Sequence, residues 1–136
     1  MLNVKEELSE KTKANVDAVI KEATGRDDFQ SLYAYKELNL YFITLITHYA
    51  LGFNQEEVVA LPMGSQGGAS GELMRFKKSH DISKNLWGKI CLSNGEQKVK
   101  LTVPGMVPSG RGLKYLPVEQ TQLSYDFYQW VKDLEK

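Results

Sequence analysis

Apolar residues recur along this chain with two different periods, and the change falls near Gly71. From Val4 to Thr24 the positions Val4, Leu8, Val16, Val19, Ile20 and Ala23 share one face of a helix, with Glu7, Glu10, Asp17 and Lys21 opposite. Asn3 with Glu6 three residues later fits a capping box, and Gly25 stands where a left-handed residue ends a helix. This predicts a surface helix laid on the core.

Asp27 to Gly52 is the longest apolar-rich stretch. Read at the helical period it is apolar almost all the way round, and only Gln30, Glu37, Thr44 and His48 form a polar strip. A helix with so little solvated face belongs in the middle of a fold, with Phe42 and Leu45 buried. Leu38 to Thr47 is also rich in aromatic and β-branched residues, and periodicity does not separate a buried strand from a buried helix there. Gly52 ends the element. Asn54 with Glu57, flanked by Phe53 and Val58, then carries a capping box and hydrophobic staple, which predict a short helix to about Ala60, stopped by Pro62.

The run Met63 to Gly71 (MGSQGGASG) reads as a loop. Beyond it the pattern alternates. Glu72 to Lys78 places Met74 and Phe76 on one side of a strand and Arg75 and Lys77 on the other. Residues 86–103 (LWGKICLSNGEQKVKLTV) form two alternating runs about Asn94-Gly95, the pattern of a two-residue hairpin. That register sets Ile90 against Val99 and Lys89 against Lys100. It turns Leu86, Ile90, Leu92, Val99, Leu101 and Val103 inward, and Trp87, Lys89, Cys91, Lys98 and Lys100 outward. A second glycine-rich loop, PGMVPSGRG, leads to a short strand over 113–116. A closing helix from about Glu119 to Leu134 buries Phe127 and Val131 and carries Tyr125, Tyr128 and Lys132 outside. The fold class is α+β over one domain, 1–136: two or three N-terminal helices, a three- to four-stranded antiparallel sheet containing the Asn-Gly hairpin, and a C-terminal helix.

Composition narrows this little. With 136 residues, 42% hydrophobic and 25% charged, the chain is long enough to bury a core without disulfides or a structural metal. The single cysteine, Cys91, excludes an intrachain disulfide and points to a reducing, cytoplasmic setting. The uncharged run Leu38 to Phe53 is too short and too polar for a membrane span, so no membrane partner is expected. Charge is more informative. The net charge of zero conceals a segment, 72–116, with nine Lys+Arg against three Asp+Glu, and such asymmetry marks either an anionic partner or internal pairing of opposite segments.

The candidate chemistry follows from that basic segment. Lys89, Lys98 and Lys100 beside Trp87 resemble a phosphate-binding platform with one base-stacking aromatic, supported by Arg75, Lys77 and Arg111. The bland reading is that the lysines discourage sheet association and Trp87 packs under a helix. The expected function is a non-enzymatic binding module for a polyanion, with nucleic acid the expected ligand. The alternative is a protein-interaction module, of inhibitor or adaptor type, using Tyr125, Tyr128 and Lys132, with a homodimer among its forms. A nuclease-like enzyme is the second alternative, resting on Glu96, Lys98 and Asp81. No zinc-site spacing or P-loop is present, and no cofactor is implied. His48 and His80 stand in unrelated contexts, and no general base is identifiable beside Cys91.

Overall fold

The computed structural model describes residues 4–64, 68–79, 81–107 and 118–134. Asn3, the loop centre at 65–67, His80, Arg111 and the strand expected over 113–116 lie outside them. The first helix, α1, spans Val4–Thr24 as its apolar face predicts, and Gly25 closes it at φ 69° with its N–H donating to Lys21 O (2.8 Å).

The stretch expected to be a central helix is instead a β-hairpin. Strands β1 (Gln30–Leu40) and β2 (Ile43–Phe53) pair antiparallel along their whole lengths around Tyr41-Phe42. The helix beyond it is absent too, replaced by β3 (Glu57–Met63), which pairs with β2 and with β4 (Met74–Lys77). These four strands form the large sheet, in the order β1-β2-β3-β4.

Both misreadings have a physical cause. The roots of β1 and β2 are covered on both faces, so they lack the polar–apolar alternation of a half-exposed strand. Val16 and Ile20 of α1 cover one face, over Tyr33, Ala50, Val59 and Leu61. On the other face Leu32, Leu51, Phe53, Val58 and Phe76 meet the rest of the protein. Asn54 does accept from the N–H groups of Glu56 (2.9 Å) and Glu57 (3.0 Å), as a helix cap would, but it does so in the turn joining β2 to β3. An Asx turn and an N-cap use the same bond, and only the chain direction afterwards distinguishes them.

The small sheet holds β5 (Asp81–Lys84), β6 (Ile90–Ser93) and β7 (Lys98–Leu101), in that order. Its inner residues Ile82, Ile90, Leu92, Val99 and Leu101 close the second core together with Phe127 and Val131 of α2 (Thr121–Leu134). Connecting β6 to β7 takes four residues, Asn94 to Gln97, not the two of an Asn-Gly turn. Asn94 Oδ1 accepts from Glu96 N–H and Gln97 N–H, and Gly95 adopts φ 91°. The register is therefore Ser93 with Lys98 and Cys91 with Lys100, a shift of two residues from the expected one. An even shift preserves the faces, so the inward set survives except at its edge. Leu86, expected inside, is 100% exposed in the β5–β6 turn.

Two links join the sheets along the free edge of β1. Tyr35 and Thr102 exchange backbone hydrogen bonds (3.0 and 2.8 Å). Deeper in, the buried side chain of Gln120 acts as a substitute strand. Its Oε1 accepts from Tyr33 N–H (2.7 Å), and its Nε2 donates to Tyr33 O (2.7 Å) and Pro104 O (2.8 Å). Gln120 follows β9 (Val118–Glu119), which pairs with β8 (Met106–Val107) and sets α2 in place. Gly52 lets α1 approach the large sheet closely, since a Cβ there would lie 3.1 Å from both Ile20 Cγ2 and Val59 Cγ2.

Candidate functional site

The β1–β2 hairpin outruns the sheet that carries it. The β3 ladder along β2 ends at His48–Met63, whereas β1 and β2 go on pairing through Leu40–Ile43. Residues 36–47 thus form a two-stranded arm projecting from the body. Cross-strand partners Leu38–Leu45 and Leu40–Ile43 share one face, the same side of the ribbon as the core residues Leu32 and Leu51, from which the exposed pair Lys36–Thr47 separates them. Glu37, Asn39 and Thr44 occupy the other, where Thr44 Oγ1 donates to Asn39 Oδ1 (2.9 Å); Ile46 is that face's apolar exception.

The apolar face is open to solvent. Leu38 is 51% exposed, Leu45 47% and Ile43 58%, and Tyr41 and Phe42 at the tip are fully exposed. Phe42 and Leu45, expected in the interior, are therefore surface residues. No charged residue occurs from Leu38 to Phe53. The exposed parts of Leu38, Leu40, Ile43, Leu45, Tyr41 and Phe42 amount to roughly 800 Å², backbone and the Tyr41 hydroxyl included, and their apolar share is large beside the few hundred Å² of apolar patch ordinary on a monomer. A two-stranded ribbon with such a face is marginal by itself, so its stability comes from the sheet at its root.

The basic residues divide between two places. Lys98 and Lys100 point outward from β7, and half-buried Lys89 precedes β6 on the same side. Their row is shared with Asp81, Ser83, Cys91 and Ser93, and Lys100 faces Cys91, not Lys89. Trp87, 86% exposed, stands in the β5–β6 turn, which Asn85 Oδ1 organises by accepting from Trp87 N–H and Lys89 N–H. Arg75 and Lys77 lie on β4 of the other sheet, with Arg75 level with Val59 on the α1 side. Arg75 Nε donates to Glu57 Oε1 (3.0 Å), whose Oε2 lies 3.9 Å from Arg26. One platform combining Arg75 and Lys77 with the lysines of the small sheet is thus not formed. Arg111 lies outside the described residues.

On α2 only Tyr125 and Lys132 are exposed as expected. Tyr128 is half-buried, packs on the core and donates its hydroxyl to Gly88 O (2.6 Å). Its position beside Phe127 on the helix gave it an outer face by periodicity, but the β5–β6 turn folds over it. Beside α2 a hollow of about 470 Å³ is lined by Asp28, Gln30, Phe53, Asn54, Gln55, Glu56 and Trp130. Asp28 there is paired with Arg26. Among the described residues no group of three or more His, Cys, Asp or Glu is placed to hold a metal ion, and no helix is long and apolar enough to cross a membrane.

His48 sits at the root of the arm, on the polar side, not on a helix surface. Its Nδ1 lies 2.7 Å from Tyr33 OH, and the rings are 5.7 Å apart. Burial lowers the His48 pKa and raises that of Tyr33. The folded protein therefore holds fewer protons at His48 than the unfolded chain. Stability is greatest above the ordinary histidine pKa of about 6.5 and declines as pH falls through and below it. In urea unfolding from about pH 7.5 to about pH 5, the stability of the native protein relative to His48→Gln should shrink steadily. A constant difference would show that His48 titrates alike in both states.

Comparison of the chain with protein-family models, with curated proteins and with solved structures returns no match. The arm is the feature that sequence reading missed. Its signal was the repeat Leu38-x-Leu40 and Ile43-x-Leu45 about a two-residue centre. Tyr41-Phe42 lacks the glycine, asparagine or aspartate that marks a tight turn, so the symmetry carried no turn signature.

Proposed function

We propose that this chain is a non-enzymatic binding module and that it docks on a partner protein through the β1–β2 arm. The observation that carries the reading is the amphipathic ribbon itself, with Leu38, Leu40, Ile43 and Leu45 on one exposed face and Tyr41 and Phe42 at its end. Keeping so much apolar surface in water has a cost, and contiguous patches of this size mark contact sites. Aromatic residues are among the usual anchors of such contacts. The partner surface moves in this reading from the outer face of α2, where Tyr128 is committed to packing, to the arm.

Polyanion binding is the second reading. It rests on Lys89, Lys98 and Lys100 sharing the outer side of the small sheet with Trp87 exposed at its turn. Asp81 in the same row as Lys98 weakens it, because a carboxylate beside the path of a phosphate opposes binding.

Photo-crosslinking separates the two. A benzophenone side chain replacing Phe42 should give one protein adduct of defined mass, lost when Leu38 and Leu40 are both changed to Glu. The same group replacing Lys98 should give none. Nucleic-acid adducts from position 98, with no protein adduct from position 42, would reverse the order of the readings.

A further inference from the structure

We infer that the partner of the arm is a second copy of this chain, with the two apolar arm faces packed on each other across a two-fold axis. This rests on the arm being a docking element, and it adds what docks there.

Four observations point to a second copy. The first is area. The six arm residues expose roughly 800 Å² in all, about half of it at the tip, which is of the order that one partner contributes to an interface of standard size. The second is self-complementarity. In a two-fold contact the same patch meets itself, so any charge would meet its like. The run from Leu38 to Phe53 has none, and the charge nearest the patch on this face is Lys36, opposite Thr47 at the arm's root.

The third is shape. The arm is a two-stranded ribbon with Leu38, Leu40, Ile43 and Leu45 on one face and a largely polar face opposite. Two such ribbons stacked through their apolar faces make a small four-stranded sandwich, as packed sheets do elsewhere, with Glu37, Asn39 and Thr44 left in water. The fourth weighs against a bilayer, which the exposed aromatic tip would otherwise suit. Residues 36–40 and 43–47 have ladder partners only in each other among the described residues. Tyr33 and Tyr35 turn their backbone groups away from β2, so by alternation Glu37 and Asn39 do the same. Immersed in hydrocarbon these edges would be unsatisfied, whereas in a face-to-face dimer they remain in water.

The test is the mass of the full chain in solution. At a protomer concentration of about 0.1 mM, where a dimer of micromolar Kd is largely assembled, sedimentation equilibrium should give twice the protomer mass. The double variant Leu38→Glu, Leu40→Glu should sediment as a protomer with an unchanged circular dichroism spectrum. So should the corresponding variant with Lys at both positions. Mixing the two in equal amounts should restore the dimer, which a variant that merely misfolds would not do. A chain that is monomeric at that concentration overturns the inference. So does a dimer that persists in both charged variants, or association of the native chain with phosphatidylcholine vesicles in place of self-association. A monomer that still gives a protein adduct of another species from position 42 would overturn the two-fold contact alone and leave the arm as a docking element.

Discussion

Replacing Phe127 by Ala should cost about 3–5 kcal/mol, the range for a fully buried phenylalanine. Phe127 has no exposed surface and joins three elements. Its ring lies 5.3 Å from that of Phe53 on β2, stacks at 6.3 Å on Trp130, and packs among residues of both sheets. A cavity there opens where α2 closes the space between the sheets, and neither sheet can collapse into it without breaking its ladder. In a protein whose whole stability is expected to be about 5–15 kcal/mol, the unfolding temperature should fall by about 10–15 °C. The matched control is Phe42→Ala. The same deletion at the fully exposed tip should change stability by no more than about 0.5 kcal/mol at concentrations where the chain is a protomer. Equal losses at the two positions would mean that the arm is folded back into the core.

Gln120→Leu should be nearly as damaging, by about 3–5 kcal/mol, although it substitutes an apolar side chain of similar size in a buried place. The amide satisfies three backbone groups at once: Tyr33 N–H, Tyr33 O and Pro104 O. Each buried group left without a partner costs about 1–3 kcal/mol, since it has lost water and gained nothing. Urea unfolding measures the total. Hydrogen exchange locates it, because protection should fall at the Tyr33 amide while that of Tyr35, held by Thr102, is retained. A loss below about 1 kcal/mol would show that a water molecule replaces the amide at little cost.

These two residues illustrate what can be read along a chain. Phe127 lies in a segment whose helical period stands by itself in the sequence, and its burial follows from the face it shares with Val131. Gln120 gave no signal. A glutamine between a strand and a helix is ordinary, and its role exists only because residue 33, far away in sequence, brings an unpaired strand edge beside it.

The same division runs through the molecule. α1, α2 and the inward set of the small sheet are written in the sequence alone, since each depends on contacts between near neighbours or on one covered face; the change from helix to strand is not, because it falls after Gly25 and not near Gly71. The glycine that ends α1 and the turn at Asn94 were legible as well, their bonds being local. Tertiary structure decided the rest. Burial on two sides removed the alternation that identifies a strand, so β1 and β2 resembled a core helix until α1 and the small sheet were in place. Whether Asn54 capped a helix or closed a turn depended on Val58 to Ala60 finding β2 as a neighbour. The basic residues were visible one by one, but their distribution over two sheets followed from strand order. The arm was hidden most fully. Its apolar residues are of the kinds that fill cores, and they are exposed because β3 stops pairing at Met63 while β1 and β2 continue. That is a fact about relative strand lengths in the folded sheet, and no local pattern encodes it.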